Sequence, residues 1–219
     1  MITLFTTAKD FTGIYKTIQM NALKSWRFIS SDIEIIIFGD SKGSKEAAKA
    51  IDAKFIPNIK YSPYCTPILS DLFYRADALA KYPIMTFINA DIILPDNFLS
   101  VVKLASDTLN KFLMVGYRWD MNVRDSIDFI NKSERVKFWD KVQKDSIKHA
   151  CTGIDYFVYR KNQWKNIPDF IMGFPGYDNW MIWNARRKRI SVLDASNLVR
   201  AIHQNHDVPT YMMHDKKTG

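Results

Sequence analysis

The first hundred residues alternate between short apolar runs and segments in which an apolar residue recurs every three or four positions. The runs are rich in Ile, Phe and Thr and are bounded by turn residues, a pattern that predicts strands at 2–7, 33–40, 53–57 and 84–92. Apolar stripes over 14–26 and 69–80 predict helices between them. The order strand–helix–strand is typical of an α/β protein.

Alternation of strands and helices predicts a mostly parallel central sheet that is flanked by helices on both faces. The apolar runs at 33–38 and 84–88 agree, because parallel strands are buried on both sides. Ligands of such sheets bind beyond the carboxyl ends of the strands. The polar residues at those ends are therefore the first candidates for a site: Thr6, Thr7, Asp40, Asn89 and Asp91.

The second half of the chain is less regular. Its pattern predicts helices at 97–110 and 125–148 and strands at 112–120 and 152–160, followed by a loop at 168–180 that contains Gly and Pro. No segment has the composition of a linker, so we expect one domain over 1–219 whose second half packs on the first and walls a cleft.

Composition excludes several protein classes. The chain has 219 residues, 47% of them apolar, with only eight Gly and eight Pro, which argues against disorder and repeats. Neither a secretion signal nor a membrane-spanning run is apparent. Cys65 and Cys151 are expected to be reduced. We therefore expect a soluble, cytoplasmic protein, for which peripheral contact with a membrane stays possible.

The charge balance favours anionic partners. Lys and Arg number 31 against 23 Asp and Glu, which gives a net charge of +8. Nucleotides, nucleic acid and acidic membrane surfaces all fit that surplus. The densest basic clusters are "RRKR" (186–189) and "KK" (216–217). A solvated helix end next to a strand explains the first cluster equally well.

A carboxylate in the apolar stretch "FINADIIL" (87–94) needs a partner, because a buried unpaired charge is costly. Asn89 and Asp91 are two residues apart, so their side chains point to the same side of a strand. The segment "HQNHD" near the C-terminus supplies His203 and His206 beside Asp207. Asp91, one of these histidines and a diphosphate would together satisfy a hard divalent cation.

The order of several short motifs resembles the GT-A type of nucleotide-sugar glycosyltransferase over nearly the whole chain. The motifs are "ITLFTT", "IIIFGD", "TPILSDLFYRA", "FINADIIL" in the place of a D-x-D motif, "TGIDYFVYR", "GYDNW" and "LDASNLVRAIHQNHD". The resemblance implies a small metal-dependent transferase with a Rossmann-like fold. Residues of about 1–95 would form the nucleotide-binding half and about 96–219 the acceptor-binding half.

The resemblance implies a wall for the donor nucleotide. Thr6, Thr7 and Asp40 would hold the base and ribose of a nucleoside-diphosphate sugar, for which a UDP-sugar is expected. Pro67 and Arg75 would lie nearby on the same wall.

A metal shell is implied in the same way. Asp91 would ligate Mn²⁺ or Mg²⁺ at the diphosphate, and His203 or His206 would complete the shell. Asn89 and Ala90 would contact the ribose or sugar. Asn89 stands where the motif usually has its first Asp, so this position brings no charge.

Asp178 matches the acidic residue that serves as base in inverting members, which need a carboxylate to take the proton of the acceptor hydroxyl. Only Asn179 follows it where a second acid is usual, so Asp155 is the substitute. Trp180 and Asp155 would line the sugar and acceptor pocket. Arg118 ends a predicted strand and could reach the diphosphate, although an ion pair at the surface explains it equally well.

The expected function is thus hexosyl transfer from a nucleotide-sugar to a hydroxyl acceptor such as a glycan, as in glycan biosynthesis. A sugar nucleotidyltransferase is the alternative enzyme, but "TTAKDFTG" is a poor phosphate loop after the first strand. A nucleic-acid-binding protein is the third alternative. Its aromatic residues follow core periodicity and its basic residues are scattered, so we expect no nucleic-acid partner.

Overall fold

The computed structural model describes residues 1–206, in which eleven strands and six helices form two sheets and their covering layers. The strands are β1 (Ile2–Thr7), β2 (Glu34–Phe38), β3 (Lys54–Ile56), β4 (Ile84–Ile88), β5 (Ile92–Ile93), β6 (Phe112–Val115), β7 (Arg118–Met121), β8 (Ile147–Lys148), β9 (Tyr156–Arg160), β10 (Ser191–Asp194) and β11 (Ala201–Gln204). The helices are α1 (Gly13–Ile29), α2 (Ser44–Ala50), α3 (Leu69–Leu79), α4 (Phe98–Thr108), α5 (Lys132–Asp145) and α6 (Tyr177–Arg187).

The central sheet has seven strands in the order β10-β6-β9-β4-β1-β2-β3. All neighbouring pairs are parallel except those of β9, which runs antiparallel to both β4 and β6. The predicted α/β class and mostly parallel sheet are confirmed. Strands from both halves of the chain enter this one sheet, so the cleft at its carboxyl edge is built from both.

A second sheet has four short strands in the order β5-β11-β7-β8, which come from segments spread between residues 92 and 204. The prediction of one continuous strand at 84–92 and another at 112–120 is wrong. Each stretch is broken by a turn and contributes one strand to the central sheet and one to the second sheet. The second break falls at Gly116, where a Cβ atom would lie 2.0 Å from the Tyr156 hydroxyl. The break lets the backbone pass this buried ring and leave the central sheet.

The helix predicted over 125–148 is also wrong at its start, since α5 begins at Lys132. Asn131 caps it, with its side chain accepting hydrogen bonds from the backbone N–H groups of Ser133 and Glu134. The preceding segment is instead held as a loop by Asn21 of α1, whose Oδ1 accepts from Ile127 N at 2.9 Å.

Apolar side chains cover both faces of the central sheet. On one face, Leu4 of β1 packs with Trp26 of α1 and Val102 of α4. The next residue, Phe5, points to the opposite face, where α3 and α6 contribute Phe73 and Met181 among others. Two-sided burial leaves the carboxyl ends of the strands as the open edge. No helix within residues 1–206 combines the length and apolar character needed to cross a membrane.

Candidate active site

The turn after β4 carries the candidate metal carboxylate. It spans residues 89–91 and is fixed through its backbone at both ends. Asn89 N donates to the carbonyl oxygen of Asp155 at 3.0 Å. Gln204 Nε2 donates to the carbonyl oxygen of Asp91 at 3.0 Å. These bonds attach the turn to the segments before β9 and in β11, so the Asp91 side chain has a defined place at the carboxyl edge of the sheet.

Asp91 lies against both histidines of the C-terminal motif. Its Oδ2 atom is 3.0 Å from His206 Nε2 and 3.7 Å from His203 Nε2. Burial raises the pKa of Asp91, but the hydrogen bond with His206 and the charge of His203 outweigh it, so the pKa lies below its ordinary value. Asp91 is therefore an ionised carboxylate, as metal ligation requires.

The second oxygen of this carboxylate fits a bound cation. Asp91 Oδ1 is buried and has no hydrogen-bond partner among the described residues. One ligand atom each from Asp91, His203 and His206 lie within 4.8 Å of one another, close enough to share one ion. A buried oxygen without a partner is costly, and a divalent cation would compensate it. Asp207, next in sequence, lies outside the described residues, as do residues 216–217 of the predicted second basic cluster.

Asp120 of β7 connects the histidines to the rest of the cleft. Its Oδ1 lies 3.0 Å from His203 Nδ1 and 3.0 Å from Arg118 Nε, while its Oδ2 lies 2.5 Å from His149 Nδ1. Burial raises the pKa of Asp120, but the His149 hydrogen bond and the Arg118 charge hold it below its ordinary value. One carboxylate thus faces three nitrogen-bearing side chains from different segments.

Asp155 lies just before β9 and is buried with both oxygens engaged. Asn89 Nδ2 donates to Oδ1 at 2.6 Å, and Arg118 Nη1 donates to Oδ2 at 2.9 Å. Burial raises the pKa of Asp155, and the neighbouring Asp91 charge adds to this, although Arg118 opposes both. Arg118 therefore bridges Asp155 and Asp120, which is the ion-pair alternative of the sequence analysis, now found in the cleft rather than on an outer surface.

Helix α6 starts beside this network. Gly176 precedes it with φ at 118°, a conformation that favours glycine. Tyr177 is buried, and its pKa is raised by burial and by the charges of Asp155 and Asp178. Both carboxylates thus lie near one phenol. Asp178 is half-buried in the first turn of α6.

The two remaining cleft candidates are apolar. Trp180 is half-buried and meets Phe170 edge-on, with ring centroids 5.5 Å apart. This contact holds the indole against the loop that precedes α6. Ala90 is buried in the turn after β4, with 7% of its surface exposed.

The candidate nucleotide wall is built at the ends of β1 and β2. Asp40 is exposed, and its Oδ1 accepts a hydrogen bond from the Tyr61 hydroxyl at 2.7 Å. Gly39 follows β2 and lies close to both Tyr61 and Thr7. A Cβ atom added to Gly39 would lie 3.1 Å from the Tyr61 hydroxyl and 3.4 Å from Thr7 Oγ1, so these two side chains meet at one corner of the candidate wall. Thr6 is buried and donates to the carbonyl oxygen of Thr7 at 3.2 Å. Thr6 is thus hydrogen-bonded to the backbone of Thr7 and is not itself exposed at the corner.

Pro67 joins this corner through a bridge with Tyr61, and its carbonyl accepts from Met172 N at 3.0 Å. Arg75 is different. It lies on α3 with 43% of its side chain exposed and pairs with Asp71 at 2.7 Å, one helical turn earlier. The structure therefore brings Pro67 to the wall but directs Arg75 to a pairing along its own helix.

Sequence reasoning did not assign Asp120, His149, Tyr61 or Tyr177 to the candidate site. Asp120 and His149 lie far from the C-terminal histidines in sequence, and only the pairing of β7 with β11 brings Asp120 opposite His203. The same-face spacing of Arg118 and Asp120 was a usable signal, since residues two apart on a strand point the same way.

No protein-family model and no curated protein sequence matches this chain. Solved structures do. A protein of Desulfovibrio desulfuricans, provisionally assigned as a nucleotide-diphospho-sugar transferase, superposes with a TM-score of 0.54 at 11% identity over 100% of this chain and 89% of its own. The chain has the GT-A glycosyltransferase fold.

Two further GT-A structures were solved with ligands. TarS of S. aureus, in complex with UDP-GlcNAc, has a TM-score of 0.61 at 11% identity, over 94% of this chain and 59% of its own. Glucosyl-3-phosphoglycerate synthase of Mycobacterium tuberculosis, in complex with Mn²⁺, UDP and glucosyl-3-phosphoglycerate, has a TM-score of 0.55 at 14% identity, over 97% and 74%. At these identities the likeness establishes the fold and leaves activity to the site.

Proposed function

We propose that the chain is a metal-dependent glycosyltransferase that moves a sugar from a nucleoside-diphosphate sugar, in the first place a UDP-sugar, to a hydroxyl acceptor. The observation that carries the proposal is the cluster of Asp91, His203 and His206 at the carboxyl edge of a GT-A sheet, with one buried carboxylate oxygen left without a partner. Structures of the same fold that hold UDP and Mn²⁺, or UDP-GlcNAc, support the donor class.

The metal ligands that the chain offers favour Mn²⁺ over Mg²⁺. Two imidazoles and one carboxylate are offered, and imidazole suits transition metals better than Mg²⁺, which prefers oxygen ligands. When bound, the cation would offset the charge that develops on the departing diphosphate.

The surrounding residues would bind and orient the donor. Thr7, Asp40 and Tyr61 offer hydroxyl and carboxylate groups at one corner, which suit the hydrogen-bonding edges of a base and ribose. Arg118 pairs with both Asp155 and Asp120 in the cleft, and its cation would contact the diphosphate or the sugar of the bound donor. Asn89 is held by Asp155 beside the same space.

For the acceptor, Asp178 is the proposed base of an inverting reaction. It is half-buried in the first turn of α6, and no ion pair engages it within residues 1–206. Asp155 is the weaker candidate, because Asn89 and Arg118 already use both of its oxygens. Trp180 would lie beside the acceptor or the sugar as an apolar surface.

A thermal-shift panel of UDP-, GDP- and dTDP-sugars, each with Mn²⁺ and with EDTA, tests the donor and the metal together. A ligand that binds only the folded state raises the melting temperature by mass action. We expect one nucleotide-sugar to stabilise the protein in Mn²⁺ and to lose that effect in EDTA. No shift with any donor would contradict the proposal, and consumption of a nucleoside triphosphate with a sugar 1-phosphate would assign the chain to the nucleotidyltransferases.

A further inference from the structure

The basic cluster at the end of α6 plays no part in the proposed reaction. Arg186, Arg187, Lys188 and Arg189 are all exposed. None of them lies within ion-pair distance of a carboxylate in the described part of the chain, although eleven pairs of residues elsewhere in that part do. Four unpaired cations in a row repel one another and favour an anionic partner.

A groove with a mixed polar and aliphatic lining includes two of these cations. It has a volume of about 600 Å³ and runs between α6 and β10. It is lined by the aliphatic side chains of Ile182, Ile190 and Val192 together with Arg186, Arg189 and Ser191. A groove that combines cations with aliphatic side chains is complementary to an anionic molecule that also has an apolar part.

Trp183 extends the apolar character to the exposed face of α6. Its side chain is 55% exposed, and the guanidinium of Arg187 stacks over its ring at 5.1 Å. Positions 183, 186 and 187 lie on one face of the helix. An exposed Trp next to Arg is typical of helices that rest at the boundary between water and lipid headgroups.

We infer that this surface, made of Trp183, residues 186–189 and the groove, binds acidic phospholipids at a membrane surface. The aliphatic residues of the groove and the exposed Trp favour an occupant with an apolar part over a purely polyanionic one such as nucleic acid. Asp178 lies nine residues before Arg187, about 13 Å along the helix, so the cleft stays clear of the contact. The inference does not depend on glycosyl transfer.

Co-sedimentation with vesicles tests this surface on the full chain. We expect binding to vesicles in which about one third of the phosphatidylcholine is replaced by phosphatidylglycerol, and little binding to phosphatidylcholine alone. Each cation near an acidic bilayer contributes about fivefold in binding. The double variant Arg186→Glu/Arg189→Glu should therefore lose at least about 25-fold, and Trp183→Ala should also weaken binding.

Lys137→Glu/Lys141→Glu is the matched control, because it makes the same charge change on exposed positions of α5. Its binding should fall far less than that of the α6 variant. Equal loss in both double variants would reduce the effect to net charge and overturn the inference. Binding to heparin that is as tight as binding to acidic vesicles, and unaffected by Trp183→Ala, would assign the surface to a polyanion and overturn it as well.

Discussion

At the scale of single residues, the cleft contains four carboxylates with different environments. Asp91 has an oxygen without a partner, Asp120 is shared by three nitrogen-bearing side chains, and Asp155 is closed by Asn89 and Arg118. Asp178 is the fourth, and it differs in having no ion pair among the described residues. These differences assign each carboxylate a separate expected role.

Asp178→Asn should separate chemistry from binding. The amide keeps the size of the side chain but cannot take a proton, so kcat should fall about 100-fold or more, the scale of a lost general base. The dissociation constant of the donor, measured by calorimetry, should change little. Full activity in this variant would show that Asp178 is not the base. The base would then be another residue, or the mechanism would be a retaining one.

Asp120→Asn tests whether Asp120 positions His203. With His203 Nδ1 directed at Asp120, its Nε2 faces Asp91 and the proposed cation. Loss of such an outer partner typically costs 10- to 100-fold in metal affinity, so the Mn²⁺ dissociation constant should rise by about that factor.

His149→Gln is the control for that variant, because it removes another partner of Asp120 and leaves the contact with His203 in place. Its Mn²⁺ affinity should stay within about threefold of the wild type. If both variants bind Mn²⁺ as the wild type does, Asp120 has no positioning role.

Asp77 of α3 lies away from the cleft and is expected to cost stability at neutral pH. Burial raises its pKa to about 6, against the opposing effects of Asn162 N–H and Lys161. The folded state therefore holds a proton that the unfolded chain has released, and stability falls as pH rises from about 4 to about 6.

Asp77→Asn keeps an acceptor for Asn162 N and removes the charge. It should raise the free energy of unfolding by about 1–3 kcal/mol at pH 7, with the gain vanishing near pH 4. Chemical denaturation at both pH values measures this. Asp140→Asn, at an exposed position of α5, should have little effect at either pH. A gain from Asp77→Asn that did not depend on pH would contradict the explanation.

At the scale of elements, apolar periodicity predicted the sheet well and its breaks poorly. The stretches 84–92 and 112–120 look continuous because each turn is short and apolar residues lie on both sides of it. The breaks arise from contacts distant in sequence. β5 pairs with β11, and the backbone at Gly116 lies against the Tyr156 ring, where a Cβ atom has no room. Such contacts leave no local pattern to detect.

Gly116→Ala should disturb the change of sheet between β6 and β7. Its Cβ would lie 2.0 Å from the Tyr156 hydroxyl and 2.9 Å from Cζ, so the buried ring or the backbone must move. Overpacking of this kind costs about 1–3 kcal/mol or more, and the melting temperature should fall by several degrees. Tyr156→Phe in the same chain should recover part of the loss. An unchanged melting temperature in Gly116→Ala would show that the passage is not tight.

At the scale of the whole molecule, the candidate site collects residues from segments that are distant in sequence. Sequence reasoning connected Asp91 with His203 and His206 because a buried carboxylate needs a partner and a cation shared with a histidine would supply it, and the structure brings the three side chains together. It could not find that Asp120 links His203 to His149 and Arg118, since that depends on how the second sheet assembles. The roles of Pro67 and Arg75 stay predictions.

Titration of the protein with Mn²⁺, followed by electron paramagnetic resonance of the free ion, tests the central claim most directly. We expect one Mn²⁺ to bind the wild-type chain, more tightly when UDP is present, and binding to be lost in Asp91→Asn and in His203→Gln. The same titration of Asp178→Asn should match the wild type. Absence of Mn²⁺ binding by the wild type, or unchanged binding by Asp91→Asn, would contradict the metal site and with it the proposed donor chemistry.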